Sequence, residues 1–150
     1  MTRIGAALAG LLVATAVAAE EPSLESLQWV ARPLVVFADT PEDPRFIQQM
    51  AMLEAEPQPL EERLVVVLTD TDPAVDGALR QRLRPRGFGV VLIDTDGRVA
   101  QRRPLPVTVR ELTNMIDRMP SRRQESGSRR PRHQSESKVG RSSASPAGLS

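Results

Sequence analysis

The chain contains no cysteine among its 150 residues. Without thiols there can be no disulfide bonds, cysteine nucleophiles, thiolate metal sites or iron–sulfur clusters. Histidine is almost as scarce, because His133 is the only one and lies in a polar C-terminal region. A Ser-His-Asp triad needs an imidazole next to its nucleophile. The composition therefore excludes thiol chemistry and leaves the folded domain no histidine for such a triad.

Aromatic residues make up only 3% of the chain, so a core must be built from leucine, valine, isoleucine and methionine. Residues 20–31 form a short lead-in, in which Leu24 and Leu27 favour a helical turn that packs on the domain. Trp29 is the only tryptophan. Because large aromatic side chains are mostly buried, we expect Trp29 to cover the edge of a sheet.

Long hydrophobic runs are missing as well. Residues 4–18 are apolar, but a membrane span needs about 20 such residues. With Arg3 before this run and small residues up to Ala19 after it, residues 1–19 have the pattern of a secretory signal peptide. We expect a secreted protein, in the bacterial periplasm, without a transmembrane segment in the mature chain. The lack of cysteine also excludes a lipoprotein anchor.

The net charge of +1 conceals an asymmetry. Residues 20–120 contain 17 acids and 12 arginines, a net charge of −5, whereas residues 121–150 carry +5. Residues 126–150 have few apolar side chains and are predicted to be a disordered basic tail. The simpler interpretation is a solvated tail; as a binding segment, its expected partner is an unknown protein, an anionic polymer or the envelope surface. Without aromatic side chains for base stacking, sequence-specific nucleic-acid binding is not expected.

The strongest signal for an element is the apolar run at residues 34–37, which follows Arg32 and Pro33. Such a run is typical of a strand covered on both faces, at the centre of an α/β sheet. Similar runs predict a second strand at residues 64–68 and a third at 90–93. Asp96-Gly97 predicts a tight hairpin, so a polar fourth strand at residues 98–103 should be antiparallel to the third and lie at an edge.

Three helices are predicted, each after a capping residue. Asp43 and Asp72 each precede a proline suited to a first helical turn, and Thr108 begins a capping box. Apolar stripes follow, at Phe46, Ile47, Met50 and Leu53; at Val75, Ala78, Leu79 and Leu83; and at Leu112, Met115, Ile116 and Met119. Prolines 57 and 59 should end the first helix and Pro120 the last.

The element order β-α-β-α-β-β-α over residues 32–125 predicts an α/β domain of the thioredoxin-like kind. Its four-stranded mixed sheet should have the order 2-1-3-4, with helices on both faces. No cofactor is implied by this arrangement.

Particular residues also carry a family resemblance: Trp29, residues 32–37, Asp43-Pro44, Gln49, Leu53, Phe88, residues 92–94, Asp96-Gly97 and, most specifically, the run IDRMPSRRQE at 116–125. On these, residues 27–125 resemble domain-of-unknown-function family 4174, an uncharacterised thioredoxin-like family of small secreted bacterial proteins. Related domains occur in vertebrate sushi-repeat extracellular matrix proteins. The resemblance implies the fold and no catalytic residues.

Comparison with thioredoxin-like proteins at large implies that redox function is missing. Their cysteines lie between the first strand and the following helix, where this chain has Pro41 and Pro44. Phe88-Gly89 stands where a cis-proline normally precedes the third strand. The resemblance thus implies neither dithiol nor thiol peroxidase activity, and we expect a binding or structural module rather than an enzyme.

The candidate ligand site is the acidic loop after the first strand. Asp39, Thr40, Glu42 and Asp43 lie beside a helix start and, with Arg86, are predicted to line a small cleft for a cationic or polar ligand. Paired carboxylates can perform acid–base chemistry, so an enzyme or metal protein using this loop is the alternative. The simpler interpretation is that Asp43 caps the helix in a solvated loop.

Two other patterns are weaker as metal sites. Asp70, Asp72 and Asp76 lack the glycine and the distal glutamate of a calcium loop, and Met50 and Met52 fit core packing better than copper binding. No metal site is predicted. Within the family-like run, Arg122, Arg123 and Glu125 are predicted to hold the final helix on the domain by ion pairs.

Overall fold

The computed structural model describes residues 22–128. In chain order these form α1 Leu24–Leu27, β1 Arg32–Phe37, α2 Pro44–Ala55, α3 Pro57–Glu61, β2 Val65–Asp70, α4 Ala78–Leu83, β3 Gly89–Ile93, β4 Val99–Arg103, α5 Val109–Asp117 and α6 Pro120–Ser128. The predicted signal peptide, the first two lead-in residues and residues 129–150 of the predicted tail lie outside this range. No helix in the described range is long and apolar enough to cross a membrane.

The strands form one sheet of order β2-β1-β3-β4, which confirms the predicted topology. β1 is parallel to β2 and antiparallel to β3, and β4 is antiparallel to β3. Because β1 has a strand on each side and helices on both faces, all six of its residues are buried. The polar strand β4 is an edge, as its composition predicted, and β2 is the other edge.

The alternation of side chains along β1 builds two cores. Leu34 and Val36 pack on one face with residues of α2, α3 and α5. Val35 and Phe37 pack on the other with residues of α1 and α4. Each fully buried Leu, Val or Phe side chain contributes about 1.5–3 kcal/mol. The prediction of helices on both faces is therefore confirmed.

Two predicted helix starts are confirmed in detail. Asp43 precedes Pro44 and accepts a hydrogen bond from the Arg45 N–H at 2.9 Å. Thr108 Oγ1 accepts from the Glu111 N–H at 3.2 Å, and Glu111 Oε2 accepts from the Thr108 N–H at 3.0 Å. Each cap satisfies backbone donors that a helix start leaves without partners.

The second helix begins later than predicted. α4 starts at Ala78 after Gly77, whereas Asp72 accepts a hydrogen bond from the Ala74 N–H at 3.0 Å in a turn. Asp76 has a left-handed φ of 45°, which interrupts any helix running from Pro73. Val75, predicted to be on the apolar stripe, is consequently exposed.

Trp29 is also placed differently from the prediction. Its side chain is 73% exposed, because its backbone adopts a left-handed φ of 67° and donates to the Thr95 carbonyl at 2.6 Å. Leu24 and Leu27 of α1 cover the sheet instead. On α2, Ile47 is exposed and Gln49 is buried, where it exchanges two hydrogen bonds with the backbone of Val107.

The predicted helix ends before the prolines are confirmed, since α2 ends at Ala55 and α5 at Asp117, but new helices also begin at these prolines. Pro57 opens the short helix α3, and Pro120 opens α6, which continues to Ser128. Proline suits a first helical turn because its missing N–H would have had no partner there. Three residues assigned to the tail, 126–128, therefore belong to a helix.

Candidate functional site

The acidic loop follows β1 at the end of the sheet where β3 begins. Asp39, Thr40 and Glu42 are exposed, and Asp43 is half-buried at the start of α2. Asp43 forms a two-point ion pair with Arg45, at 3.1 Å from Nε to Oδ1 and 2.8 Å from Nη2 to Oδ2. These side-chain bonds, followed by the bond from the Arg45 backbone N–H, lower the pKa of Asp43. Both Asp43 oxygens are engaged in holding α2.

The turn before β3 lies against this loop. Gly87 has a φ of 63°, and a β-carbon there would lie 3.8 Å from Asp39 Oδ2. The Arg45 guanidinium stands over the ring of Phe88, 5.2 Å from its centre. The structure thus brings Asp39 and Asp43 close to the turn that carries Arg86.

Arg86 itself lines a cleft of about 240 Å³ formed by the α4–β3 turn and the end of β4. None of Asp39, Thr40, Glu42 and Asp43 lines this cleft, so the acidic loop and Arg86 do not share it. Its lining combines basic and apolar residues. They are Arg84, Arg86, Arg102 and Arg103 with Phe37, Pro85, Phe88, Gly89, Val90, Val91 and Pro104.

The arginines of this cleft are four of the seven in the described range that form no salt bridge. Residues 22–128 include 14 arginines, and seven of them form salt bridges. Within that range Arg84, Arg86, Arg102 and Arg103 form none. Arg102 Nη1 donates to the Leu83 carbonyl at 2.8 Å, and Arg103 Nη2 contacts Met115 Sδ at 3.8 Å. Neither contact neutralises a guanidinium charge.

A buried arginine closes the other side of this end of the sheet. Arg80 of α4 is 8% exposed; its Nε donates to Asp70 Oδ1 and its Nη2 to the Ala38 carbonyl, both at 2.7 Å. Its guanidinium also lies 5.6 Å from the centre of the Phe37 ring. Arg80 therefore ties α4 to the ends of β1 and β2, and its charge is paired.

At the opposite end of the sheet, Arg32 lies at the centre of a second cluster. Its side chain is fully buried, and it donates to the Arg63 carbonyl at 3.0 Å, Ser121 Oγ at 3.0 Å and Glu125 Oε1 at 2.7 Å. Arg32 Nε lies 3.3 Å from Asp94 Oδ1 but makes no hydrogen bond. Ser121 Oγ donates in turn to the Asp94 carboxylate, at 2.7 Å.

Arg122 extends the cluster along α6. It pairs with Glu125 at 3.2 Å and with Asp117 at 3.7 Å. Partial burial would raise the pKa of Glu125, but the hydrogen bonds from Arg32 and Arg122 lower it overall. The pKa of Asp117 is lowered first by its hydrogen bonds from Arg63, at 2.9 and 2.8 Å.

The three residues that were predicted to hold the final helix by ion pairs are therefore not equivalent. The structure places Arg122 and Glu125 in ion pairs that hold α6, whereas Arg123 is exposed and forms no salt bridge within residues 22–128. Arg32, Asp94 and Ser121 were missed as cluster members. One signal in the sequence could have identified Arg32. It is an arginine at the start of a strand predicted to be buried on both faces, so its charge would need buried partners.

The Arg32 cluster lacks the components of a nucleophilic site. Residues 22–128 contain no histidine to place an imidazole beside Ser121, and the Ser121 hydroxyl is held by Asp94 and Arg32. Among residues 22–128, no group of three or more metal-ligating acidic, cysteine or histidine side chains is close enough together to hold a metal ion. The geometry assigns this cluster to holding α6 on the sheet.

Comparison with solved structures identifies the fold. A reduced 2-Cys peroxiredoxin of Plasmodium vivax superimposes with a TM-score of 0.54 at 14% identity, over 69% of this chain and 84% of that one. StoA of Bacillus subtilis gives a TM-score of 0.38 at 10% identity, over 57% of this chain and 81% of that one. With the sheet order, the first match shows a thioredoxin-like fold and nothing about activity.

No curated protein matches the chain in sequence. A family model described as Domain of unknown function (DUF4174) matches residues 23–125, which span the sheet, its helices and the Arg32 cluster up to Glu125. The chain belongs to the DUF4174 family.

Proposed function

We propose that this protein is a secreted, non-catalytic binding module that holds its ligand in the arginine-lined cleft. One observation carries the proposal: four arginines that form no salt bridge within residues 22–128 line a single concavity. The segment that contains them, residues 20–120, has a net charge of −5. Like charges crowded together repel one another, so the cleft gains stability when an anion enters it.

The alternative function is an enzyme or metal protein that uses the Asp39–Asp43 loop. Catalysis by two carboxylates needs environments that push their pKa values apart, with one kept protonated. Asp43 has a lowered pKa, and its two oxygens are occupied by Arg45. It is therefore a poor proton donor and has no free oxygen for a cation, which favours binding over chemistry.

The sequence supports two further parts of the proposal, export from the cytoplasm and a second binding segment in the basic C-terminal region. The signal-peptide pattern of residues 1–19 supports export to the periplasm. The basic residues 126–150 support an additional, salt-sensitive attraction to anionic polymers or surfaces of the envelope. No cofactor is part of the proposal.

A ligand screen with recovery of the ligand tests binding against turnover. The mature chain is melted in the presence of anionic, neutral and cationic compounds, and each stabilising compound is then recovered and its mass measured. A ligand present at 100 times its Kd stabilises the fold by about 2.7 kcal/mol, which is easily seen in a melting curve. Recovery of unchanged ligand supports the proposal.

The Asp39→Asn/Glu42→Gln variant is the control in the screen. Both side chains are exposed, so the double substitution should leave the fold intact. If a compound is converted to a product by the wild-type chain and not by this variant, the enzyme alternative replaces the binding module.

A further inference from the structure

The arginine-lined cleft has two basic walls that come from separate segments. Arg84 and Arg86 belong to the turn between α4 and β3, and Arg102 and Arg103 end β4. The two segments are brought together because β4 pairs with β3, so that Arg103 stands opposite Val90 and Arg102 opposite Val91. Four arginine residues therefore line one space from two sides, with the Arg102 guanidinium held at the Leu83 carbonyl on the α4 side and that of Arg103 at Met115 on the α5 side.

These walls are held in place by local structure. Arg84 ends α4 in the left-handed region, at φ 47° and ψ 59°, and Pro85 restricts the backbone that follows it. On the other wall, the Arg102 guanidinium is anchored by its bond to the Leu83 carbonyl. A carbonyl leaves the positive charge uncompensated and leaves other N–H groups of Arg102 free to donate. Because these parts of the cleft are already ordered, binding a ligand loses less conformational entropy there.

Acidic groups near the cleft are too few to neutralise it. Asp39 lies beside Gly87, and the pKa of Glu111 is lowered first by its hydrogen bonds with Thr108 and further by the nearby charge of Arg103. Neither carboxylate lines the cleft. Asp43, which lies close to the same turn, is already paired with Arg45, so among residues 22–128 the other two acids are set against four arginines and a local excess of positive charge remains.

The size and lining of the cleft define the ligand. A volume of about 240 Å³ is below the roughly 300–1,000 Å³ of pockets that enclose a drug-sized molecule. It suits a single charged group whose remainder extends into solvent. Phe37 and Phe88, which belong to the cores on opposite faces of the sheet, are buried residues that border the cleft and lower the dielectric beside it, which strengthens charge interactions there.

We infer that this cleft binds a divalent tetrahedral oxyanion, that is, the phosphate or sulfate group of a larger ligand. The inference rests on the proposed binding function and specifies its ligand. Guanidinium groups form forked, charge-assisted hydrogen bonds with such oxygens, and a group of charge −2 matches four arginines better than one carboxylate does.

The test compares two double variants of equal charge. Arg84→Gln/Arg86→Gln removes two exposed arginines of the cleft. The control, Arg110→Gln/Arg123→Gln, removes two exposed arginines that do not line the cleft and that form no salt bridge within residues 22–128. Full-length mature chains are titrated calorimetrically with inorganic phosphate, inorganic sulfate and acetate. Both variants should melt within a few degrees of the wild type, because neither pair is buried.

We expect phosphate and sulfate to bind the wild type and the control variant equally, and the cleft variant at least about tenfold more weakly. Acetate should bind all three much more weakly. Two larger ligands then show whether the natural group is a sulfate or a lipid phosphate: a sulfated oligosaccharide and vesicles containing anionic phospholipid. The one that resembles the natural ligand should bind the cleft variant more weakly than the control variant, and the other should bind both equally.

Two results would overturn the inference. Equal phosphate affinity in the two variants would place anion binding elsewhere on the chain. Absence of phosphate and sulfate binding in the wild type would show that the cleft does not take oxyanions. In that second case a different ligand found in the melting screen would leave the binding module standing, so failure of the inference is separable from failure of the proposed function.

Discussion

Replacing the buried Arg32 by methionine should detach α6 and destabilise the whole domain. Methionine approximates the length of the arginine stem, so the change removes the guanidinium with little loss of packing volume. The hydrogen bonds to Ser121, Glu125 and the Arg63 carbonyl are lost together. Asp94 then keeps Ser121 as a donor, while Glu125 keeps only Arg122.

The size of the effect follows from the burial of the partners. Breaking a fully buried ion pair from one side costs about 3–5 kcal/mol, because the other charge is left without compensation. The side chains of Asp94 and Glu125 are 15% and 29% exposed, so water solvates them in part and the lower figure applies. We expect a loss of about 3 kcal/mol, or a fall in Tm of about 10–20 °C for a domain of this size.

Urea denaturation of the mature chain, followed by circular dichroism, measures this loss. Arg123→Met is the matched control, since Arg123 is exposed on the same helix and should change stability by no more than about 0.5 kcal/mol. In a double-mutant cycle, Arg32→Met and Glu125→Gln should be coupled by about 1–3 kcal/mol. An Arg32→Met loss below about 1 kcal/mol, or additive effects in the cycle, would refute the role assigned to Arg32.

Three further predictions concern the same elements. Because the pKa of Glu125 is lower in the folded chain than its ordinary 4.5, its stabilising effect is complete above that value and is lost as pH falls through the folded pKa. Between about pH 6 and pH 3 the wild type should therefore lose more stability in urea than Glu125→Gln, and equal losses would contradict this. Truncation after Met119 should lower Tm by removing Ser121 and Glu125, whereas truncation after Ser128 should not; equal melting would show that α6 is dispensable. Thr108→Ala should cost about 1 kcal/mol in urea unfolding through the lost capping box, and no measurable change would mean that the cap contributes nothing.

Most of the fold could be predicted because its local signals agree with one another. The apolar run of β1, the Asp96-Gly97 hairpin and the Thr108 capping box each specify a local structure that the sheet order then combines. The errors arose where a local rule had two outcomes. Proline is compatible with the end of one helix and with the first turn of the next; the helices before Pro57 and Pro120 end as predicted, but the helices that these prolines begin were not predicted.

The Arg32 cluster could be predicted only in part. Arg122 and Glu125 were identified from the resemblance, since they lie in one run of sequence. Arg32 and Asp94 join them through contacts that are distant in sequence. Arg32 is 62 positions from Asp94 and 93 positions from Glu125, and no local pattern encodes such contacts. The cleft has the same limitation, because Arg86 and Arg102 meet only once β4 pairs with β3. Burial of a charged side chain depends on partners that tertiary structure supplies.

Two groups of arginines in this chain differ in role: several that are paired with a carboxylate connect parts of the fold, and those of the cleft, which have no carboxylate partner within residues 22–128, are proposed to bind a ligand. Arg32 and Arg63 join the starts of β1 and β2 to α5 and α6, and Arg80 joins the ends of the same strands to α4. A disulfide connects two residues, whereas a guanidinium with five donors connects several segments at once, and its apolar stem fills space that an aromatic ring would otherwise take. In a protein without cysteine and with few aromatic residues, these arginines cross-link the sheet to its helices. The same group without a carboxylate partner, as in the cleft, keeps its charge and donors available. We therefore expect lysine, a single compact charge, to fail at both kinds of position, through lost stability at Arg32 and through weakened oxyanion binding at Arg84 and Arg86.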